Sequence, residues 1–200
     1  MRNLYLIAIY IAMVSTVLFL TSGCTTQSKE SEKLSMEEMI SRGKYLTEFG
    51  GCNDCHTPKV YTEMGPVPDT TRLLAGHFAT DPLPEIDMKM IEPGKWYLTD
   101  KNLTAWVGPW GISYSANLTP DNATGLGAIS EEMFIKTLRE GKLKGVGRTL
   151  LPPMPWPGIG SLTDDDLKCL YAYLHSIPAI NNQVPLPTPP DKMQMMTAMK

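Results

Sequence analysis

A chain of 200 residues with 42% hydrophobic and 20% charged residues holds one modest domain plus any targeting segment, which excludes a solenoid, a two-domain enzyme and a disordered tail protein. A formal net charge of −3 leaves no basic excess to set against phosphates, so nucleic acid is excluded as a partner. The 16 Gly and 17 Pro point to long loops with an organiser other than regular secondary structure, and the four Cys and three His are few enough to be assigned one by one.

Met1-Arg2-Asn3 leads into an apolar run from Leu4 to Leu20, followed by Thr21-Ser22-Gly23-Cys24. One positive charge, an apolar core and small residues before a cysteine read as an export signal. By length alone the run also admits an uncleaved N-terminal transmembrane anchor. Leu20 to Cys24 resembles the cleavage box of bacterial lipoproteins, with Thr21 where Leu is usual, and this implies that Cys24 is the lipidated first residue of the mature protein. Either reading tethers the chain outside the cytoplasm. Four segments follow: 1–23 as a signal peptide, 24–34 as a lipidated, flexible, polar tether, 35–187 as the folded domain and 188–200 as a disordered, Met-rich tail.

Three helices are expected inside the domain. Ser35 with Glu38 forms a capping box ahead of Met39, Ile40, Gly43 and Leu46, whose spacing makes one helical face ending near Gly50-Gly51. Ser130 caps a second helix carrying Phe134, Ile135 and Leu138 and stopped by Gly141. Thr163 with Asp166 starts a third, with a stripe of Leu167, Leu170, Tyr171, Leu174 and Ile177, which ends at Pro178. Gly43 costs about 1 kcal/mol relative to Ala inside a helix, so a close crossing of the first and third helices is expected there. Between Thr57 and Ile129 the periodicity is weak, and Trp96 to Thr99 with Thr104 to Val107 predict a short β-hairpin.

Cys52-Asn53-Asp54-Cys55-His56 is the attachment signature for c-type haem. With four Cys and three His in 200 residues, the pattern arises by chance about 0.001 times per chain. Positions i, i+3 and i+4 share one helical face, so both thiols can add to the two vinyl groups while the His56 imidazole comes up beneath the iron. A thioredoxin-like dithiol would want a strand before Cys52, where the pattern is helical. A structural zinc site would need two further ligands from Cys169, His77 or His175, with no second compact pair present. For the sixth ligand, Met154 lies in Leu151-Pro152-Pro153-Met154-Pro155-Trp156, where three prolines stiffen the backbone on both sides of a flexible thioether. His77 is the rival ligand, and His175 falls on the solvated face of the last helix.

Arg42-Gly43-Lys44-Tyr45-Leu46, the motif Cys52 to Pro58, Pro152 to Trp156, and Leu162 through Leu174 together resemble a class I c-type cytochrome, from about Met36 to Val184. The resemblance implies a mainly α fold with three principal helices, long loops wrapped round one covalent haem, and the first and last helices crossing. The stretch between His56 and Met154 is longer than in small members of that family. Gly108-Pro109-Trp110-Gly111 through Asn117-Leu118-Thr119-Pro120-Asp121 resembles the extended cytochromes that are subunits or partners of periplasmic dehydrogenases.

The expected function is that of a lipid-anchored, periplasmic electron carrier with His56/Met154 ligation and no bond-making chemistry of its own. Its partners would be a dehydrogenase, an oxidase or another cytochrome, with the membrane reached through the lipid. The alternatives are a haem subunit of a dehydrogenase or oxidase complex, and a haem enzyme or gas sensor with an open sixth position. Arg148 and Trp156, bracketing the Met loop, are candidate donors to the haem propionates. Trp110 and Cys169 are expected to pack in the core. Asp164, Asp165 and Asp166 fit either a basic partner face or a favourable first helical turn, and the terminal Met cluster either a Cu(I) site or a disordered end.

Overall fold

In a computed structural model, residues 34–193 are described; the expected export signal, Cys24 and the Met residues beyond Met193 lie outside them. Helices form at the three expected places: α1 (Met36–Phe49), α3 (Glu131–Glu140) and α5 (Asp164–Ser176). Two five-residue helices join them, α2 (Cys52–His56) and α4 (Trp156–Gly160), and residues 190–193 are helical as well, so the described residues hold more α-helices than the three expected. The β content also exceeds the single hairpin expected. β1 (Lys59–Thr62) pairs antiparallel with β2 (Gly65–Pro68), directly after the Cys-x-x-Cys-His motif. β3 (Leu98–Thr99), β4 (Ala105–Gly108) and β5 (Gly111–Tyr114) form an antiparallel three-stranded sheet in chain order.

The helix ends are built as the capping residues dictate. Ser35 Oγ accepts from Glu38 N–H while the Glu38 carboxylate accepts from Ser35 N–H at 2.8 Å, and Thr163 Oγ1 accepts from Asp166 N–H at 3.1 Å. The three aspartates of the first α5 turn face intramolecular cations. Arg42 Nε donates to Asp166 at 2.9 Å, Arg139 donates to Asp164 at 2.6 Å, and Lys168 lies 3.8 Å from Asp165. They pin α1 and α3 to α5.

The main core gathers Leu46, Leu74, Phe134, Leu138, Leu167, Cys169, Leu170, Tyr173 and Leu174, with Cys52 and Met154 packed against its rim. A second cluster of Ile91, Val107, Ile112 and Met193 lies with the three-stranded sheet. The expected disordered tail is overrun here, because Thr188 exchanges two hydrogen bonds with Ile112 at 2.8 and 2.9 Å and Met193 is buried. Pairing with the open edge of β5 and an apolar seat for Met193 keep the chain packed six residues past the expected boundary at Pro187.

Gly43 sits where α1 meets α5. A Cβ placed there would stand 1.9 Å from the carbonyl oxygen of Cys169, a backbone atom that cannot swing aside. Gly43→Ala should therefore destabilise the fold by about 3 kcal/mol, the upper range for overpacking, because the whole crossing must open. Chemical denaturation of the purified variant measures it. An unchanged midpoint would mean that the helices do not cross at this glycine.

Candidate cofactor site

The site starts with a turn that stops α1 and restarts the chain as α2. Gly50 ends α1, its N–H bonding to Leu46 O at 2.8 Å. Gly51 takes a left-handed conformation (φ 65°) that redirects the chain into Cys52. On α2 the residues Cys52, Cys55 and His56 share one face, as their spacing requires. Cys52 and Cys55 are half-buried, unpaired thiols, and burial pushes the Cys52 pKa up to about 11 and that of Cys55 upward as well. Dithiol redox sites depend on a lowered thiol pKa, and the environment here has the opposite sign. Among the described residues no three His, Cys, Asp or Glu side chains converge as a structural zinc site would need.

His56 is buried and its Nδ1 lies 2.8 Å from the carbonyl oxygen of Ala116. A carbonyl only accepts, so Nδ1 carries the proton and Nε2 keeps its lone pair. Burial lowers the His56 pKa, which favours the neutral ring. A neutral imidazole held through Nδ1 with the Nε2 lone pair available is what a haem-iron ligand requires, and two thiols on the same helical face could supply covalent attachment. The donor set fits c-type haem.

The Ala116 carbonyl is delivered by the contact of two irregular segments, 74–77 and 115–118. Gly76 N–H bonds to His56 O at 2.8 Å, His77 N–H to Ser115 O at 3.0 Å, and Leu118 N–H to Leu74 O at 2.8 Å. Asn117 then folds the next turn, its side-chain oxygen accepting from Thr119 N–H and its amide donating to Ile180 O at 2.8 Å. The Asn117-Leu118-Thr119-Pro120-Asp121 segment therefore braces the strap under His56.

Met154 is half-buried at the rim of the same apolar cluster that Cys52 borders. Its loop is held on the N-terminal side of the thioether: Leu150 N–H bonds to Gly141 O at 2.8 Å, and Ser113 Oγ donates to Pro152 O at 2.6 Å. Ser113 also accepts from Trp110 Nε1 at 3.3 Å, so the β4–β5 hairpin supports the Met loop. Neither Ser113 nor Ala116 was singled out in the sequence, because a lone Ser and a backbone carbonyl carry no local signal. Trp110, the expected core residue, is half-buried with its ring over Gly108.

Trp156 lays its indole over the left-handed Gly141 that ends α3, where a Cβ would lie 2.4 Å from the ring; its Nε1 has no acceptor among the described residues. Arg148 is exposed, bonding to its neighbour Thr149 O at 3.3 Å. The rival ligand His77 is 2% exposed, with Nδ1 2.9 Å from Thr104 Oγ1 and its ring against Tyr114. It belongs to a polar network in which Asp100 accepts from Thr104 N–H and Ala105 N–H. His175, expected on a solvated face, instead stacks on Tyr171 with its Nε2 buried and unpartnered. Cys169 is buried, as expected.

The chain is similar to cytochrome c subunits of dehydrogenases. Over 152 residues it is 41% identical to the cytochrome c subunit of alcohol dehydrogenase (quinone) from Gluconobacter oxydans (strain 621H), a match covering 74% of this chain and 24% of that protein. It is 29% identical over 167 residues to the gluconate 2-dehydrogenase cytochrome c subunit of Pantoea cypripedii, covering 82% of this chain and 29% of that one. Against the fructose dehydrogenase cytochrome subunit of Gluconobacter japonicus the identity is 28% over 185 residues, with 88% and 31% covered. The chain thus spans less than a third of the length of these relatives. No protein-family model matches it.

Two outcomes follow from the geometry. Ser113→Ala removes the support of the Met loop and should cost about 1 kcal/mol, with faster proteolytic cutting between residues 150 and 156; an unaltered digestion rate counts against the brace. Burial holds the His77 pKa below its ordinary 6.5, with Asp100 and Asp81 opposing. Below that value the unfolded chain takes up a proton that the folded chain refuses, so stability falls as pH drops from about 7 toward the folded pKa. His77→Gln should flatten this slope in denaturation curves, and an identical slope would show that the ring is not held neutral.

Proposed function

We propose that this chain is a lipid-anchored electron-transfer protein of cytochrome c type, carrying one haem, that takes electrons from a dehydrogenase on the periplasmic side of a bacterial membrane. The observation that carries the reading is the helix α2, which presents Cys52, Cys55 and a neutral His56 whose Nδ1 is fixed by Ala116 O. The similarity to cytochrome c subunits of dehydrogenases supports the choice of partner class. A single Cys-x-x-Cys-His motif supports one haem, and the Cys24 box with its apolar leader supports export and lipidation.

Cys52 and Cys55 would hold the haem through thioethers, His56 and Met154 would ligate its iron, and Arg148 and Trp156 would donate to its propionates. Bound haem supplies a reversible one-electron ferric/ferrous couple, which His/Met ligation tunes to a raised potential. The protein's own work is positional. Ala116 O fixes the tautomer and angle of the imidazole, burial keeps water from its face, and the prolines with Ser113 hold the thioether in place. With His56 and Met154 both ligating the iron, the site would leave no place for a substrate, and the chain would pass electrons without making bonds.

The test is an absorption spectrum of protein exported with haem maturation machinery. The c-type haemochrome should be present in the native chain and absent after Cys52→Ala with Cys55→Ala. Met154→Ala should abolish the far-red band of Met-ligated ferric haem and open the iron to carbon monoxide. A native chain without covalent haem would sink the proposal, and an unchanged spectrum in Met154→Ala would favour the open-site haem enzyme or sensor.

A further inference from the structure

α2 has five residues, too short to stand as an isolated helix, and its last carbonyls have no helical partner. The Asp54 carbonyl would ordinarily accept from the N–H four residues on, but that residue is Pro58, which has none. Lys59 fills the gap. Its side chain folds back so that Nζ donates to Asn53 O at 3.0 Å, to Asp54 O at 2.9 Å and to Thr57 O. Three acceptors use three N–H groups, so the amine is held as the ammonium. Lys59 is 8% exposed, and among the described residues no carboxylate forms an ion pair with it. Its positive charge is met by the carbonyls at the C-terminal end of α2, the negative pole of the helix.

We infer that Lys59 is a positioning residue that sets the reduction potential of the site, its buried ammonium closing the end of α2 and placing a fixed positive charge beside the helix that carries His56. This rests on the haem reading above. A fixed cation opposes any further positive charge placed nearby, and more strongly in a buried, low-dielectric setting than in water. Oxidised haem iron carries one more positive charge than reduced iron. The same field therefore favours the reduced form and raises the potential. Burial lowers the Lys59 pKa from its ordinary value, while the three carbonyl acceptors and the charges of Asp54 and Asp100 favour the charged amine.

The experiment compares Lys59→Arg, Lys59→Gln and Lys59→Met with the native holoprotein. Haem content is read from the haemochrome spectrum, and the potential from a mediated spectroelectrochemical titration at one pH and ionic strength. The potential should follow charge: Arg close to native, Gln and Met both shifted down. Three results would overturn the inference. One is a common potential across the series. Another is a native potential in Gln with a fall only in Met, which would reduce Lys59 to a hydrogen-bond donor. The third is loss of haem attachment in both neutral variants, which would make it an attachment element only. A native chain lacking the haemochrome would instead strike the cytochrome reading itself, so the two failures are told apart before any variant is compared.

Discussion

The hydrogen bond from His56 Nδ1 to the carbonyl of Ala116 is the contact on which the site depends, because it determines which nitrogen of the ring is free. A carbonyl sixty residues away can serve only if two stretches of backbone touch beneath the imidazole, and Gly76 permits that contact. It takes φ 76°, and a Cβ there would stand 2.4 Å from Ser115 O. With no side chain in the way, the 74–77 and 115–118 segments exchange hydrogen bonds and Gly76 also bonds back to His56 O. Ring orientation and strap position are thus one structural fact.

The long stretch between His56 and Met154 braces the chain at both of these residues. Its segment from Ser115 to Leu118 supports His56, and the hairpin just before that segment supports the Met loop through Ser113. Trp110 completes that second support by donating to Ser113. A shorter connection would leave the imidazole and the thioether loop to be held by helices alone. Polar groups buried in this stretch, including Asp100, Asn102, Thr104 and His77, are satisfied by one another and by backbone, which lets an irregular segment be buried.

Charges in the helical half are placed with equal economy. The acidic first turn of α5, which by itself suits either a basic partner or a helix dipole, is taken up by Arg42, Arg139 and Lys168. Only tertiary packing could separate these readings, since the cations come from other helices or from the turn beyond. Lys59 is a similar case. In the sequence it is one of 18 basic residues, and only the fold turns it inward onto carbonyls of the motif.

Local signals carried much of the architecture. The capping residues Ser35, Ser130 and Thr163 mark the starts of α1, α3 and α5 because a side-chain oxygen reaches only the nearest backbone N–H groups. Gly43 announced the α1–α5 crossing because a helix interior tolerates glycine at a cost that only close approach offsets. The order Cys52, Cys55, His56 specified its own chemistry, since helical spacing alone puts the three on one face. Tertiary structure decided the rest: the Ala116 carbonyl, the Ser113 brace, the packed chain through Met193, the inward Lys59 and the removal of His77 into a polar network. Each of these joins residues far apart in the chain, and each depends on backbone groups or single polar side chains that are chemically ordinary until the fold sets them beside their partners.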